Sequence, residues 1–186
     1  MEKTEARRRA ILEKVADHLL EQGMKGSSLR PLAAAAGISD RMLLHYFENK
    51  EEVMMAALGV IATRMIQLLE SARSAPMPFH VLMPHLAGML KDPNVQPYLR
   101  LWLELAALSA SGEQAYRTVA HQLGDHFYTW LTGELLVEKE SDRASLAALA
   151  FVTIEGCVFL DAIGQDVIIS QALLSTKISA HGNDAQ

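Results

Sequence analysis

Apolar residues recur at steps of three and four along most of the chain. Ile11, Leu12, Val15, Ala16, Leu19 and Leu20 mark one face of a helix over residues 5–22 that stops at Gly23. A second helix begins where the Ser28 hydroxyl can cap it, with Pro31 in the first turn, where no intrahelical donor is needed. Leu32, Ala33 and Ala36 give it a short apolar face, and Gly37 is a left-handed stop. Ser39 caps a third short helix over residues 40–46, and Asn49 caps a fourth with Glu52 in capping-box spacing.

The same period continues. Residues 49–74 carry Val53, Met54, Ala57, Leu58, Ile61, Met65, Leu68 and Leu69 on one side of a long helix. Further helices are predicted over residues 79–90, kinked by Pro84, and over 95–108, 111–137, 142–163 and 165–179, with the tail fraying from Ala180. Strand-like alternation does not stand out, so the predicted class is all-α with about nine helices. Residues 28–46 pair two short helices about a glycine turn, a helix-turn-helix whose second helix can enter a major groove.

Composition narrows the class. The chain has 186 residues, half of them hydrophobic, which suffices for a core; its one cysteine, Cys157, removes a disulfide scaffold and points to a reducing cytoplasm. The apolar run of residues 144–163 carries Glu155 and Asp161 and reads as a buried helix, not a membrane span. The charged start, residues 1–9, gives no secretion signal. Net charge is −5, but it is unevenly spread: residues 1–50 hold nine Lys+Arg against seven Asp+Glu, or +2, and residues 51–186 hold eight against fifteen, or −7. That asymmetry predicts two jobs, the first segment facing an anion. Arg7, Arg8 and Arg9 read as a solvated helix face.

The run of residues 20–53, LEQGMKGSSLRPLAAAAGISDRMLLHYFENKEEV, resembles the N-terminal domain of the TetR/AcrR family of transcriptional regulators. The shared pattern is the Gly23 turn, the Ser28 cap, Leu32 to Ser39 matching L-A-x-A-A-G-[VI]-S, the aromatic and Phe ending His45 to Phe47, and Asn49 with Lys50. The resemblance implies a DNA-binding head at residues 1–50 and a ligand-binding and dimerisation domain at residues 51–186. It departs at Leu44, where family members carry a Tyr that donates to a phosphate; His45 and Tyr46 are the candidate substitutes.

In that context Ser28, Ser39 and Lys50 stand at helix N-termini, where phosphate is favoured. Arg30 and Arg41 can fork onto guanine, Met42 can touch a thymine methyl, and Asp40 can accept from cytosine or complement the helix dipole. The partner implied is a double-stranded, near-palindromic operator. The resemblance further implies a cavity for a small organic effector among Met65, His85, Met89, Tyr98, Trp102, His126, Trp130, Phe151 and Glu155, with His126 on the apolar stripe of its helix.

The breadth of apolar surface on the last two helices, at Ala148, Phe151, Val152, Gly156, Phe159, Ile169, Ala172, Leu173 and Thr176, suggests a second face for a partner, and the resemblance implies that the partner is a second copy of the chain, a homodimer. No cofactor or metal is implied. Two rivals remain: a DNA-binding dimer governed by a protein partner or by no effector, and a helical enzyme using His85, His121, Asp125 and His126. The pair His121 and Asp125 lacks a third metal ligand, and Gly23, Gly26 and Gly37 do not form a phosphate loop.

Overall fold

The computed structural model describes the backbone of residues 2–25 and 27–181 and the side chains of residues 4–25 and 27–175. Among these the chain is all-α: α1 Glu2–Gln22, α2 Leu29–Ala36, α3 Asp40–Tyr46, α4 Lys50–Ser71, α5 Phe79–Met89, α6 Gln96–Ala110, α7 Gln114–Glu134, α8 Arg143–Ala162 and α9 Asp166–His181, with a single 3₁₀ turn at Glu140–Asp142. The tail predicted to fray is helical as far as His181 and lies outside the described residues from 182 onward.

Helix ends differ from the sequence reading where a contact distant in sequence intervenes. The helix predicted to reach residue 137 stops at Glu134 because the chain there pairs with the segment before α5. Met77 N–H donates to the Glu134 carbonyl at 2.8 Å, and Leu136 N–H donates to the Met77 carbonyl at 2.8 Å. This parallel bridge between Met77 and Leu135 is the only strand-like pairing among the described residues. Pro84 is accommodated inside α5.

The chain divides into two compact units, Met1–Gln67 with Arg100–Leu123, and Leu68–Leu99 with Gly124–Gln186. In the first, α1 packs on α2 and α2 on α3. Its core is the predicted stripe of α1 (Ile11, Leu12, Val15, Ala16, Leu19), met by Leu32, Ala33 and Leu43 and by Val53, Ala57 and Ile61 of α4. Arg64 of α4 reaches α1, donating to Glu13 at 2.6 Å and to Asp17 at 2.7 Å.

In the second unit α5 packs against α8 and α9, and these two against each other. Leu82, Met83 and Leu86 meet Ala147, Ala150, Ile154, Cys157 and Val158 in its core. Lys91 pairs with Asp161 and, at 2.9 Å, with Asp166, tying the end of α5 to the α8–α9 turn.

Lys50–Ser71 and Glu140–Ala162 are each long and apolar enough to cross a membrane by length and composition. Each nevertheless buries a stripe of side chains in its own unit's core, as a helix in a packed bundle does.

The capping box at α4 forms in altered shape. Asn49 Oδ1 accepts from Glu52 N–H at 2.9 Å, but the Glu52 carboxylate returns to the N–H of Glu48, one residue earlier, at 2.6 Å. Its other oxygen accepts from Arg8 of α1 at 2.7 Å. The Glu48 N–H first, and Arg8 second, hold the Glu52 carboxyl below the usual carboxylate range. A carboxyl depressed on folding contributes stability above its free value, about 4.3, and loses it as pH falls through the lower folded value. Thermal melts of Glu52→Gln should therefore lie below those of the native chain at pH 7, with the gap closing as pH falls toward 3. A gap that is the same at both pH values would contradict this.

Candidate nucleic-acid interface

The reading unit is built from two helices too short to hold themselves. α2 ends in a full Schellman arrangement: Gly37 adopts φ +70°, its N–H donates to the Ala34 carbonyl at 2.9 Å, and Ile38 N–H donates to the Ala33 carbonyl at 3.0 Å. A Cβ at Gly37 would come no nearer than 3.9 Å to Lys14 Nζ, so backbone conformation, not space, calls for glycine there. The chain then turns into α3. Ser39 caps it as predicted, its Oγ accepting from Met42 N–H at 3.2 Å.

Ser28 does not cap α2 in the predicted way. It occupies the N-cap position in extended conformation, but its side chain makes no capping hydrogen bond. A cap oxygen accepts from the second or third helical N–H, and Pro31, the third residue, removes one of those two donors.

α3 is seven residues long and is pinned by Leu43 and Phe47, both buried. Arg8 of α1 lies over the Phe47 ring, 4.6 Å from its centroid, while pairing with Glu52. Arg8 thus belongs to the fold of the head and not to a solvated basic face as the sequence suggested. With these anchors turned inward, Asp40, Arg41, Met42, Leu44 and His45 are exposed, and Tyr46 is half-buried with its ring edge-on to His45 at 5.3 Å. Ser28, Arg30, Ser39 and Lys50 are exposed as well.

The cations of this unit fall into two groups. Arg8, Arg9 and Arg64 are engaged in ion pairs, whereas no ion pair among the described residues engages Arg30, Arg41 or Lys50. Among the described residues of the first unit the exposed large hydrophobic side chains are Met42, at 45%, and Leu44, at 44%, both on α3. A surface that combines open guanidinium groups with apolar side chains suits base edges in a major groove, where acceptors and thymine methyls alternate. Sequence reasoning passed over Leu44 because it looked only for the missing hydroxyl.

The nine residues nominated for an effector cavity are split between the units. Met65 and Trp102 belong to the first, and the other seven to the second. Trp130 and Phe151 are brought together through Phe127, which stacks on Trp130 (5.8 Å, 13°) and meets Phe151 edge-on (5.5 Å, 74°). Phe127 escaped notice because its neighbour His126 was placed on the apolar stripe; the stripe instead runs through Trp130, Leu131 and Glu134, and His126 is exposed, as is His85. Met89, Tyr98 and Glu155 are half-buried.

Two buried polar atoms on α7 lack a hydrogen-bond partner, Trp130 Nε1 and Glu134 Oε1. The other Glu134 oxygen accepts from Ser74 N–H at 3.1 Å and Ser74 Oγ at 3.2 Å. Burial raises the pKa of the Cys157 thiol, which disfavours the reactive thiolate. His85, His121, Asp125 and His126 all lie at the surface, and no three potential metal ligands gather among the described residues.

α8 is apolar on two sides. Beyond its inner stripe, Ala148, Leu149, Val152 and Phe159 are exposed, Val152 at 70% and Phe159 at 56%, with Phe151 and Gly156 half-buried. α9 adds Val167, Ile168, Ala172 and Leu174 to the exposed set, with Ile169 and Leu173 half-buried. The side chain of Thr176 lies outside the described residues.

The inward and outward neighbours of α3 make a stability test. Leu43→Ala should destabilise the chain by about 2–5 kcal/mol, and Leu44→Ala by no more than about 0.5 kcal/mol. Thermal melts that rank the two the other way would reverse the assignment of α3's faces.

Residues 11–57 match the family model described as bacterial regulatory proteins, tetR family. The chain is 29% identical over 99 residues to the HTH-type transcriptional repressor AcnR of Corynebacterium efficiens; the match covers 53% of this chain and 48% of that one, so it spans about half the length of this curated relative. A TetR-family transcriptional regulator from Cytophaga hutchinsonii shares the fold at TM-score 0.75 and 18% identity, over 98% of this chain and 96% of that one. So does a multidrug binding protein, EbrR, complexed with imidazole, at TM-score 0.62 and 19% identity over 91% and 94%. With the helix-turn-helix geometry and the matched N-terminal segment in agreement, residues 11–57 are a DNA-binding segment of the tetR type, and the chain shares the all-helical fold of TetR-family regulators.

Proposed function

We propose that the chain is a cytoplasmic, DNA-binding transcriptional regulator that acts as a homodimer and is released from a near-palindromic operator by a small organic effector. The observation that carries the DNA reading is the outward face of α3, where Arg41, Met42, Leu44 and His45 are exposed beside cations left out of the internal ion pairs. The name of AcnR, a transcriptional repressor, supports repression as the sense of regulation.

One head reads few base pairs, so specificity comes from two heads about one helical turn apart. The dimer reading is supported by the outer apolar face of α8 and α9, since a continuous patch of that kind is unfavourable in water and suits a second copy of itself. The effector reading is supported by the aromatic group of Phe127, Trp130 and Phe151, by the unpartnered Trp130 N–H, and by the multidrug binding recorded in the name of EbrR. An effector that favours one arrangement of the heads weakens DNA binding, and DNA weakens effector binding equally.

Selection from a random duplex pool tests the reading: an enriched near-palindrome is expected, and no enrichment would overturn it. On the selected duplex Arg41→Ala should cost about 1–3 kcal/mol and relax preference at one position, whereas Lys50→Ala should weaken all sequences alike and lower the salt slope by about 1. Replacing contacted thymines by uracil should cost about 0.8 kcal/mol per methyl in the native chain and nothing in a Met42→Ala, Leu44→Ala double variant. Light scattering should give twice the chain mass, and Val152→Asp should shift it toward the monomer; a native monomer at micromolar concentration would contradict the dimer.

A further inference from the structure

The turn that leads into the reading helices is held from a distance of about eighty residues. Arg100 and Glu104 stand one turn apart on α6, in the part of that helix that packs within the first unit. Glu104 Oε2 accepts from two successive backbone N–H groups just past the end of α1, Met24 at 2.7 Å and Lys25 at 3.1 Å. Arg100 Nη2 donates to two of the last carbonyls of α1, those of Leu20 and, at 3.2 Å, Glu21. Each charge sits where the backbone offers its opposite: a guanidinium on the negative end of a helix and a carboxylate on adjacent N–H groups.

The carboxylate lies close against the turn. Gly23 adopts φ +79°, and a Cβ there would lie 2.3 Å from Glu104 Oε1, so a larger residue would displace the carboxylate end. The left-handed backbone is what calls for glycine at this position. Downstream, Ser27 N–H donates to the Met24 carbonyl at 3.1 Å and Ser27 Oγ donates to the Gly23 carbonyl at 3.2 Å, so the segment that α6 grips is the one that delivers the chain to α2. Neither Arg100 nor Glu104 lies in the helix-turn-helix segment, and neither stands beside α3 in sequence.

We propose that Glu104, with Arg100, is a positioning residue for DNA reading: the two side chains fix the α1–α2 turn and through it the placement of α2 and α3. The inference rests on the DNA reading given above and adds to it residues that touch no base or phosphate. Loss of the clasp leaves Arg30, Arg41 and Lys50 on the surface, so bulk attraction to DNA persists while the geometry needed for base readout is lost.

The test uses the full chain and the duplex enriched from a random pool, compared with an unselected duplex of equal length and salt. Glu104→Ala and Arg100→Ala should each lower affinity for the enriched duplex at least tenfold, leave affinity for the unselected duplex within twofold, and speed amide exchange at Met24 and Lys25. Glu104→Gln, which keeps the size and one carbonyl acceptor, should fall between Ala and the native chain; it also serves if Glu104→Ala fails to fold. Selectivity retained within twofold in folded Arg100→Ala and Glu104→Gln, or exchange at Met24 and Lys25 no faster than native, overturns the proposal. Failure of the unaltered chain to enrich any duplex overturns the DNA reading itself, so the two failures are told apart.

Discussion

A helix of seven residues has no stability of its own in water, because so few hydrogen bonds cannot offset the cost of nucleation. Everything proposed for α3 therefore depends on the pair of side chains that pin it, Leu43 and Phe47. Their burial decides which side of α3 faces out, and Arg8 over the Phe47 ring ties that decision to α1. Because Arg8 also holds Glu52, the same guanidinium joins α1, the end of α3 and the start of α4. Surface chemistry on α3 is free to vary only because these internal contacts do not.

Much of this was legible in the chain. The apolar period located every helix, the glycines at 23 and 37 both take the left-handed conformation that ends a helix, and Ser39 and Asn49 act as caps, since each of these is a local effect within four or five residues. The two faces of α8 were also readable, because one stripe suffices for a core and the sequence holds more than one.

What was not legible is what depends on partners far along the chain. Arg7 to Arg9 read as a solvated run, yet Arg8 is committed to Phe47 and Glu52. The Ser28 cap was read from its own identity, while Pro31 removes one of the two donors it could have used. His126 was placed on the apolar stripe of α7, whereas the buried positions there are Trp130, Leu131 and Glu134 and Phe127 is the ring stacked on Trp130. The grip of Arg100 and Glu104 on the α1–α2 turn left no signal in either segment beyond the glycine at 23, which has a sufficient local explanation of its own. Charge behaved likewise: a bulk value of −5 conceals a head whose few unpaired cations are sorted from those used to hold it together.

The central claim is that the outward face of α3 enters a major groove, twice, in a symmetric pair. Guanine-N7 methylation interference on the enriched duplex tests it most directly, since N7 lies on the major-groove edge. The account predicts interference in two clusters about 34–36 Å apart along one face of the duplex, both lost in Arg41→Ala. Interference confined to one cluster, or a bound duplex indifferent to N7 methylation throughout, would contradict it.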